Sequence, residues 1–249
     1  MCMILGRIMN TKNKQIRENE CLSHTEIYTK EKLYDTDTWL KKPIKTIQEI
    51  VQLFSEYQEL RILDLGCGVG RNSIFLAEKL GEEKACRIDC VDILDIAIDK
   101  LNQYSLEYGV SHNINGIVSS IEDFIIQENN YDLILVISAL EHIDGEESFA
   151  RKLEEIKNGL KKNGIVCFVI NSNVKEINTE TLEEIEPQFE VNLCSEKIQE
   201  YLDKSFSGFE IIKKNVVAQK YNIPRGSITS RITTDVITFV AKSIREPSR

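Results

Sequence analysis

The stretch Ile62-Leu63-Asp64-Leu65-Gly66-Cys67-Gly68-Val69-Gly70-Arg71-Asn72 decides the fold. An apolar run ends at Leu65 and a glycine-rich turn follows. Ile74, Phe75, Leu76 and Leu80 then recur at helical spacing. This is a strand, a turn and a helix. The glycines admit a tight turn and let a ligand approach the backbone. The first turn of the helix leaves N–H groups unpaired, and these favour a negative group. In an open parallel sheet such a turn lies at the carboxyl end of a strand, where ligands bind. The spacing is G-x-G-x-G, whereas a diphosphate-cradling dinucleotide site needs G-x-G-x-x-G.

Outward from this turn, short apolar runs occupy 61–65, 87–91, 113–118, 132–137 and 165–170. Helix-patterned or polar segments separate them, which predicts parallel βαβ units. After residue 170 the pattern changes. Residues 195–206 read as a helix, and 209–217 and 235–243 read as strands joined by a loop with Pro224 and Gly226. No helix fits between those two strands, so they are expected to be antiparallel. The expected fold class is α/β, doubly wound, with a seven-stranded, mostly parallel sheet and an antiparallel final strand. Upstream, Ile44, Ile47, Ile50, Val51 and Phe54 follow Pro43 at helical spacing, an N-terminal helical extension. Residues 1–37 are polar and weakly patterned, and a flexible segment is expected there. The rest, 38–249, reads as one domain.

The net charge is -9, from 31 Lys and Arg against 40 Asp and Glu. A general nucleic-acid binder carries a basic excess to match phosphate, so a small-molecule ligand is favoured. No apolar run is long enough to cross a bilayer. Met1, Met3 and Met9 share the first ten residues, which makes Met9 an alternative start. The apolar stretch there is too short for a signal sequence. The 7 cysteines include no C-x-x-C pair, as expected for reduced thiols of a cytoplasmic protein. The 3 histidines show no metal spacing, and no metal site is expected.

A second motif is Cys90-Val91-Asp92-Ile93, where an acid ends the next apolar run. A carboxylate there accepts hydrogen bonds from ribose hydroxyls. With the glycine turn, this resembles the motifs of class I S-adenosylmethionine-dependent methyltransferases. The resemblance spans about 40–243. It implies a Rossmann-like fold, S-adenosylmethionine as methyl donor, and in-line transfer that releases S-adenosylhomocysteine. It divides the domain into a cofactor-binding part at about 60–171 and a substrate-side part at about 172–245. It places Asp64, Gly66, Cys67, Gly68 and Gly70 along the methionine part, and Asp92 and Ile93 at the ribose. In Ser119-Ser120-Ile121-Glu122-Asp123-Phe124 the family often sets an Asp on the adenine. Here Ser120 stands at the acidic position with Ile121 next, and Glu122 or Asp123 are the alternatives. Tyr131-Asp132-Leu133-Ile134-Leu135-Val136-Ile137-Ser138-Ala139-Leu140-Glu141-His142-Ile143 resembles the motif IV region of small-molecule methyltransferases. There Ser138 and Ala139 would line the sulfur, and His142 would face the adenine or the reaction centre.

No catalytic residue is assigned; His142 and Glu141 are the candidates for a base. An acceptor that is already nucleophilic, such as a thiolate, needs no strong base. That fits a narrower resemblance, of Cys67-Gly68-Val69-Gly70-Arg71-Asn72-Ser73-Ile74-Phe75-Leu76-Ala77 to the tellurite-resistance group and its thiol-methylating relatives. The chain lacks the D/N-P-P-Y of amino methyltransferases acting on DNA bases, and the Pro-Cys of cytosine-5 enzymes. Tyr28, Tyr34 and Trp39 are candidate lid residues, or they pack the N-terminal helix on the core. Two rivals to a small-molecule methyltransferase remain: one acting on RNA or protein, and a cofactor-binding module without turnover.

Overall fold

The computed structural model describes residues 11–36, 38–81, 85–226 and 228–244. Cys2 and the three N-terminal methionines lie outside them. The glycine turn joins β1 (Glu59–Leu65) to α3 (Arg71–Leu80). Next come β2 (Ala85–Asp92), α4 (Asp95–Glu107), β3 (Ile114–Val118), β4 (Tyr131–Ile137), α5 (Glu146–Gly159) and β5 (Leu160–Asn178). The chain closes with β6 (Glu184–Ile185), α6 (Ser195–Ser205), β7 (Glu210–Arg225) and β8 (Ile228–Lys242). Before β1 stand α1 (Thr11–Lys30) and α2 (Lys45–Ile50), the latter followed by a short 3-10 turn.

The strands order β3-β2-β1-β4-β5-β8-β7, with β6 paired to β5. β1 lies parallel between β2 and β4, with Leu65 opposite both Val91 and Val136. The chain reverses its direction of travel across the sheet here, which opens a crevice above the carboxyl ends of these strands. β8 runs antiparallel to both β5 and β7, as expected of the last pair. The expected seven strands become eight because two residues of β6 add to β5.

The strands are apolar on both faces because helices cover both. Leu60 and Ile62 of β1 pack with Ile74, Leu76 and Leu101 of α3 and α4. Leu63 and Leu65 point the other way, to Phe149, Leu153, Ile198 and Leu202 of α5 and α6. Each such side chain contributes about 1.5–3 kcal/mol on burial, so the middle of the sheet is a rigid platform.

Two expectations need correction. Residues 11–30 of the segment expected to be flexible form a helix. The outer strands also run much further than their apolar runs. β5 continues past Ile170 through Asn171-Ser172-Asn173, and β7 past Val217 through Ala218-Gln219-Lys220. Among the described residues no helix is long and apolar enough to cross a membrane.

Candidate active site

Gly66, Gly68 and Gly70 all have positive φ, at 77°, 54° and 86°. Left-handed backbone of this kind is natural only to glycine. The turn folds back on β2, where Gly66 and Cys67 both donate to the Val91 carbonyl at 2.8 and 3.0 Å. At Gly68 space matters as well, because a Cβ there would sit 2.7 Å from the Tyr28 hydroxyl. Tyr28 belongs to α1, so that helix roofs the turn.

Asp92 is buried at the end of β2 and binds the turn. Its Oδ2 accepts the Gly68 amide at 2.8 Å and its Oδ1 the Leu94 amide at 3.0 Å. Each carboxylate oxygen keeps a lone pair for a further donor. Burial raises its pKa, against the pull of those amides. Asp64 stands behind the turn. It is fully buried and takes a hydrogen bond from Ser73, and desolvation lifts its pKa to about 6.

A cavity of about 130 Å³ lies over the crevice. Of the residues expected at the cofactor, Gly66, Asp92, Ile93, Ser120, Ile121, Ser138 and His142 line it, as does Ala139. Asp64, Cys67, Gly68 and Gly70 do not. They shape or underlie the turn, and Tyr28 covers Gly68. A wider groove of about 730 Å³ opens beside Lys175, Cys194 and Lys220, but no glycine-turn residue reaches it. The six cysteines among the described residues are free thiols.

The loops over the crevice are already committed. The Ser120 hydroxyl donates to Asp123 at 2.8 Å and accepts the Asp123 amide at 3.1 Å, so it caps a turn. Glu122 holds Arg17 and the Asp144 amide, each at 2.7 Å. Ser138 ends β4 with φ 50° while its amide donates to Val169 at 2.7 Å. Left-handed conformations in residues other than glycine concentrate at functional sites.

His142 stacks on Phe189 and hydrogen-bonds Glu190 at 3.0 Å. Burial alone would lower its pKa. Glu190, with Glu20 and Glu141 behind it, instead raises it to about 9. An imidazolium has no lone pair to offer, so His142 is not poised as a base at neutral pH. Its folded pKa lies above the ordinary 6.5, so its stabilisation is complete below pH 6.5 and is lost as pH rises through 9. The Tm of the wild type should therefore fall between those pH values, and that fall should shrink in Glu190→Gln; equal slopes in thermal melts would refute the pairing. Glu141, the other candidate base, is fully buried and does not line the cavity. Its Oε1 accepts the Asn171 amide and side chain at 3.2 and 2.5 Å.

Sequence reasoning expected the N-terminal segment to cover the site, but missed that it does so as a helix held by ion pairs. Arg17 reaches Glu122 at 2.7 Å, Glu190 at 3.1 Å and the His142 carbonyl at 2.7 Å. Glu20 binds Arg225 near the tip of the β7–β8 hairpin at 2.5 Å. Burial pushes the Glu20 pKa up, but the His24 hydrogen bond, with His142 and Arg225 behind it, holds it down at about 2. Of the lid candidates, Tyr28 lines the cavity. Tyr34 donates to the Arg71 carbonyl at 2.9 Å, and the Arg71 guanidinium lies 4.8 Å from the Trp39 ring centre.

Residues 62–164, from β1 into β5, match the family described as "Methyltransferase domain". This part of the chain has the pattern of a methyltransferase domain. The methyltransferase domain is similar to the glycine/sarcosine/dimethylglycine N-methyltransferase of Actinopolyspora halophila. The two are 29% identical over 124 residues, 50% of this chain and 21% of that protein. It is also similar to the ubiquinone biosynthesis O-methyltransferase of Rickettsia canadensis, 28% identical over 131 residues, 52% of this chain and 50% of that protein. The chain thus spans half or less of the length of these two relatives. Among solved structures, TehB from Haemophilus influenzae shares the fold. Its TM-score is 0.61 at 20% identity, covering 84% of this chain and 64% of that one.

Proposed function

We propose that this chain transfers a methyl group from S-adenosylmethionine to a small-molecule acceptor. The observation that carries this reading is the buried Asp92 carboxylate, which lines the cavity beside a turn of bare glycine backbone. Its spare lone pairs suit ribose hydroxyls. Ile93 and Ile121 offer apolar surface to an adenine, and Ser138 and Gly66 face the methionine part. Bound there, the donor supplies a methyl carbon on positive sulfur, open to in-line displacement.

The residues of this chain hold and enclose the reactants. Much of the rate in such a transfer comes from alignment, which the rigid carboxyl ends of β1, β2 and β4 provide. α1 roofs the crevice and keeps water out. The cavity is smaller than the roughly 300 Å³ at which small-molecule pockets begin, so Tyr28 must withdraw from Gly68 to admit the donor. A roof that closes over the site, above walls rich in carboxylates, suits a small acceptor better than a polyanion. The N- and O-methyltransferase names of the two relatives point the same way.

Calorimetry with S-adenosylhomocysteine tests the reading directly, and a wild type that fails to bind sinks it. Asp92→Ala removes the ribose acceptor and releases the Gly68 and Leu94 amides. Affinity should fall by about 1–3 kcal/mol, the usual cost of unpairing buried polar groups. Unchanged affinity in a folded variant would remove Asp92 from the site.

A further inference from the structure

α1 turns a polar stripe to the cavity: Arg17, Glu20, His24 and Tyr28 recur three or four residues apart, and all line it. Most polar groups on its walls are taken. Arg17 is held by Glu122 and Glu190, Asp92 by the Gly68 and Leu94 amides, and His142 by Glu190. His24 differs. Its Nδ1 is buried with no hydrogen-bond partner among the described residues.

The other nitrogen of the ring is oriented. Nε2 lies 3.5 Å from Oε2 of Glu20, one turn earlier on α1. Glu20 is held as a carboxylate, and Arg225 takes its other oxygen at 2.5 Å. A carboxylate only accepts, so it places the ring proton on Nε2 and leaves the lone pair on Nδ1. The position suits chemistry as well. His24 acts electrostatically on Asp92, and both His24 and His142 act on Glu20. The imidazole thus stands over the crevice, between the ribose carboxylate and the loop after β4. Its ring centre is 5.5 Å from that of Tyr28, so the space that Tyr28 vacates for the donor adjoins it.

Resting on the methyl-transfer reading, we infer that His24 is the general base, and that the acceptor is a neutral hydroxyl of phenol or enol acidity whose proton passes to Nδ1. Such a hydroxyl gives its one proton to the imidazole and keeps lone pairs to aim elsewhere. The oxygen forms its bond to the methyl carbon as the carbon–sulfur bond breaks, and that bond's electron pair stays on sulfur. The hydroxyl proton ends on Nδ1, and the imidazolium so formed faces the Glu20 carboxylate. The products are a methyl ether and a neutral thioether. An ammonium acceptor would have to lose a proton before it had a lone pair, beside the cations Arg17 and His142. A thiolate, the acceptor that the sequence favours, would leave Nδ1 without a use.

The test compares phenol with thiophenol, two probes of one shape, on the full chain with S-adenosylmethionine at mildly alkaline pH. Thiophenol is then already ionised and needs no base, whereas phenol is not. The wild type should methylate both. His24→Asn should slow transfer to phenol by about a hundredfold or more relative to transfer to thiophenolate, the usual worth of a positioned base. Equal losses on the two probes, or no loss on either, overturn the inference. A wild type that binds S-adenosylhomocysteine but does not methylate phenol overturns it too. A nitrogen-15 spectrum of the wild type with S-adenosylhomocysteine bound tests the tautomer apart from turnover. His24, one of 3 histidines, should carry its proton on Nε2, and a neutral ring protonated on Nδ1 overturns the assignment. Failure to bind S-adenosylhomocysteine at all is a different result, and it removes the methyl-transfer reading and this inference together.

Discussion

Gly66→Val should destabilise the protein by about 2–5 kcal/mol and abolish donor binding. Two separate costs add. A branched side chain at φ 77° adopts a left-handed backbone, at roughly 1–2 kcal/mol. Its Cβ would also lie 2.4 Å from the Ala139 Cβ, and overpacking of this kind costs about 1–3 kcal/mol. Neither side can yield easily, since Gly66 is tied to Val91 and Ala139 follows the strained Ser138. Gly109 separates the two costs. It has φ 71°, but a Cβ there meets nothing within 4 Å. Gly109→Val should therefore lack the packing cost. Denaturant melts that place the two variants level would show that β1 and β4 do not close on each other at this turn.

The second large effect is expected from Arg17→Ala. Arg17 is a buried cation holding two buried carboxylates and a carbonyl. Removing one partner of such a cluster costs about 3–5 kcal/mol, because the other charges stay buried without an answer. The loss need not unfold the sheet. α1 buries only Ile16, Arg17 and Tyr28, so it can detach while the core survives. Hydrogen exchange in residues 11–30 should accelerate by about a hundredfold or more, at tenfold per 1.4 kcal/mol, while the β1 and β4 amides stay protected. Association of S-adenosylhomocysteine should quicken as well, since the roof opens more often. Unchanged exchange in α1 would show that Arg17 does not hold the helix down.

The legible parts of this molecule are those in which local chemistry sets local structure. The Gly66–Gly70 spacing needs positive φ, and Leu63 or Ile134 belongs to a strand buried on both faces, so β1, β4 and the turn are readable directly. Asp92 is readable because it ends such a strand. A cover from the N-terminal segment is expected too, but its helix and its fastening are not legible, because what holds it is distant in the chain. Arg17 pairs with Glu122 and Glu190, and Glu20 with Arg225. A helix fastened by ion pairs leaves no apolar stripe to find. The extended ends of β5 and β7 escape for a related reason: Asn171, Ser172 and Gln219 carry no apolar alternation, and only the neighbouring strand makes them part of a sheet. The Ser120 position departs from the adenine-binding pattern, and its hydroxyl caps a turn instead.

Trp39 is the single tryptophan of the chain. Its ring lies 6.5 Å from that of Tyr28 on the roof and beneath the Arg71 guanidinium at the start of α3, where the glycine turn ends. One indole therefore stands between α1 and the glycine turn. The protein carries its own optical gauge: a shift of the roof on donor binding should change the colour and yield of its emission, with no label attached and no other indole to confuse the signal.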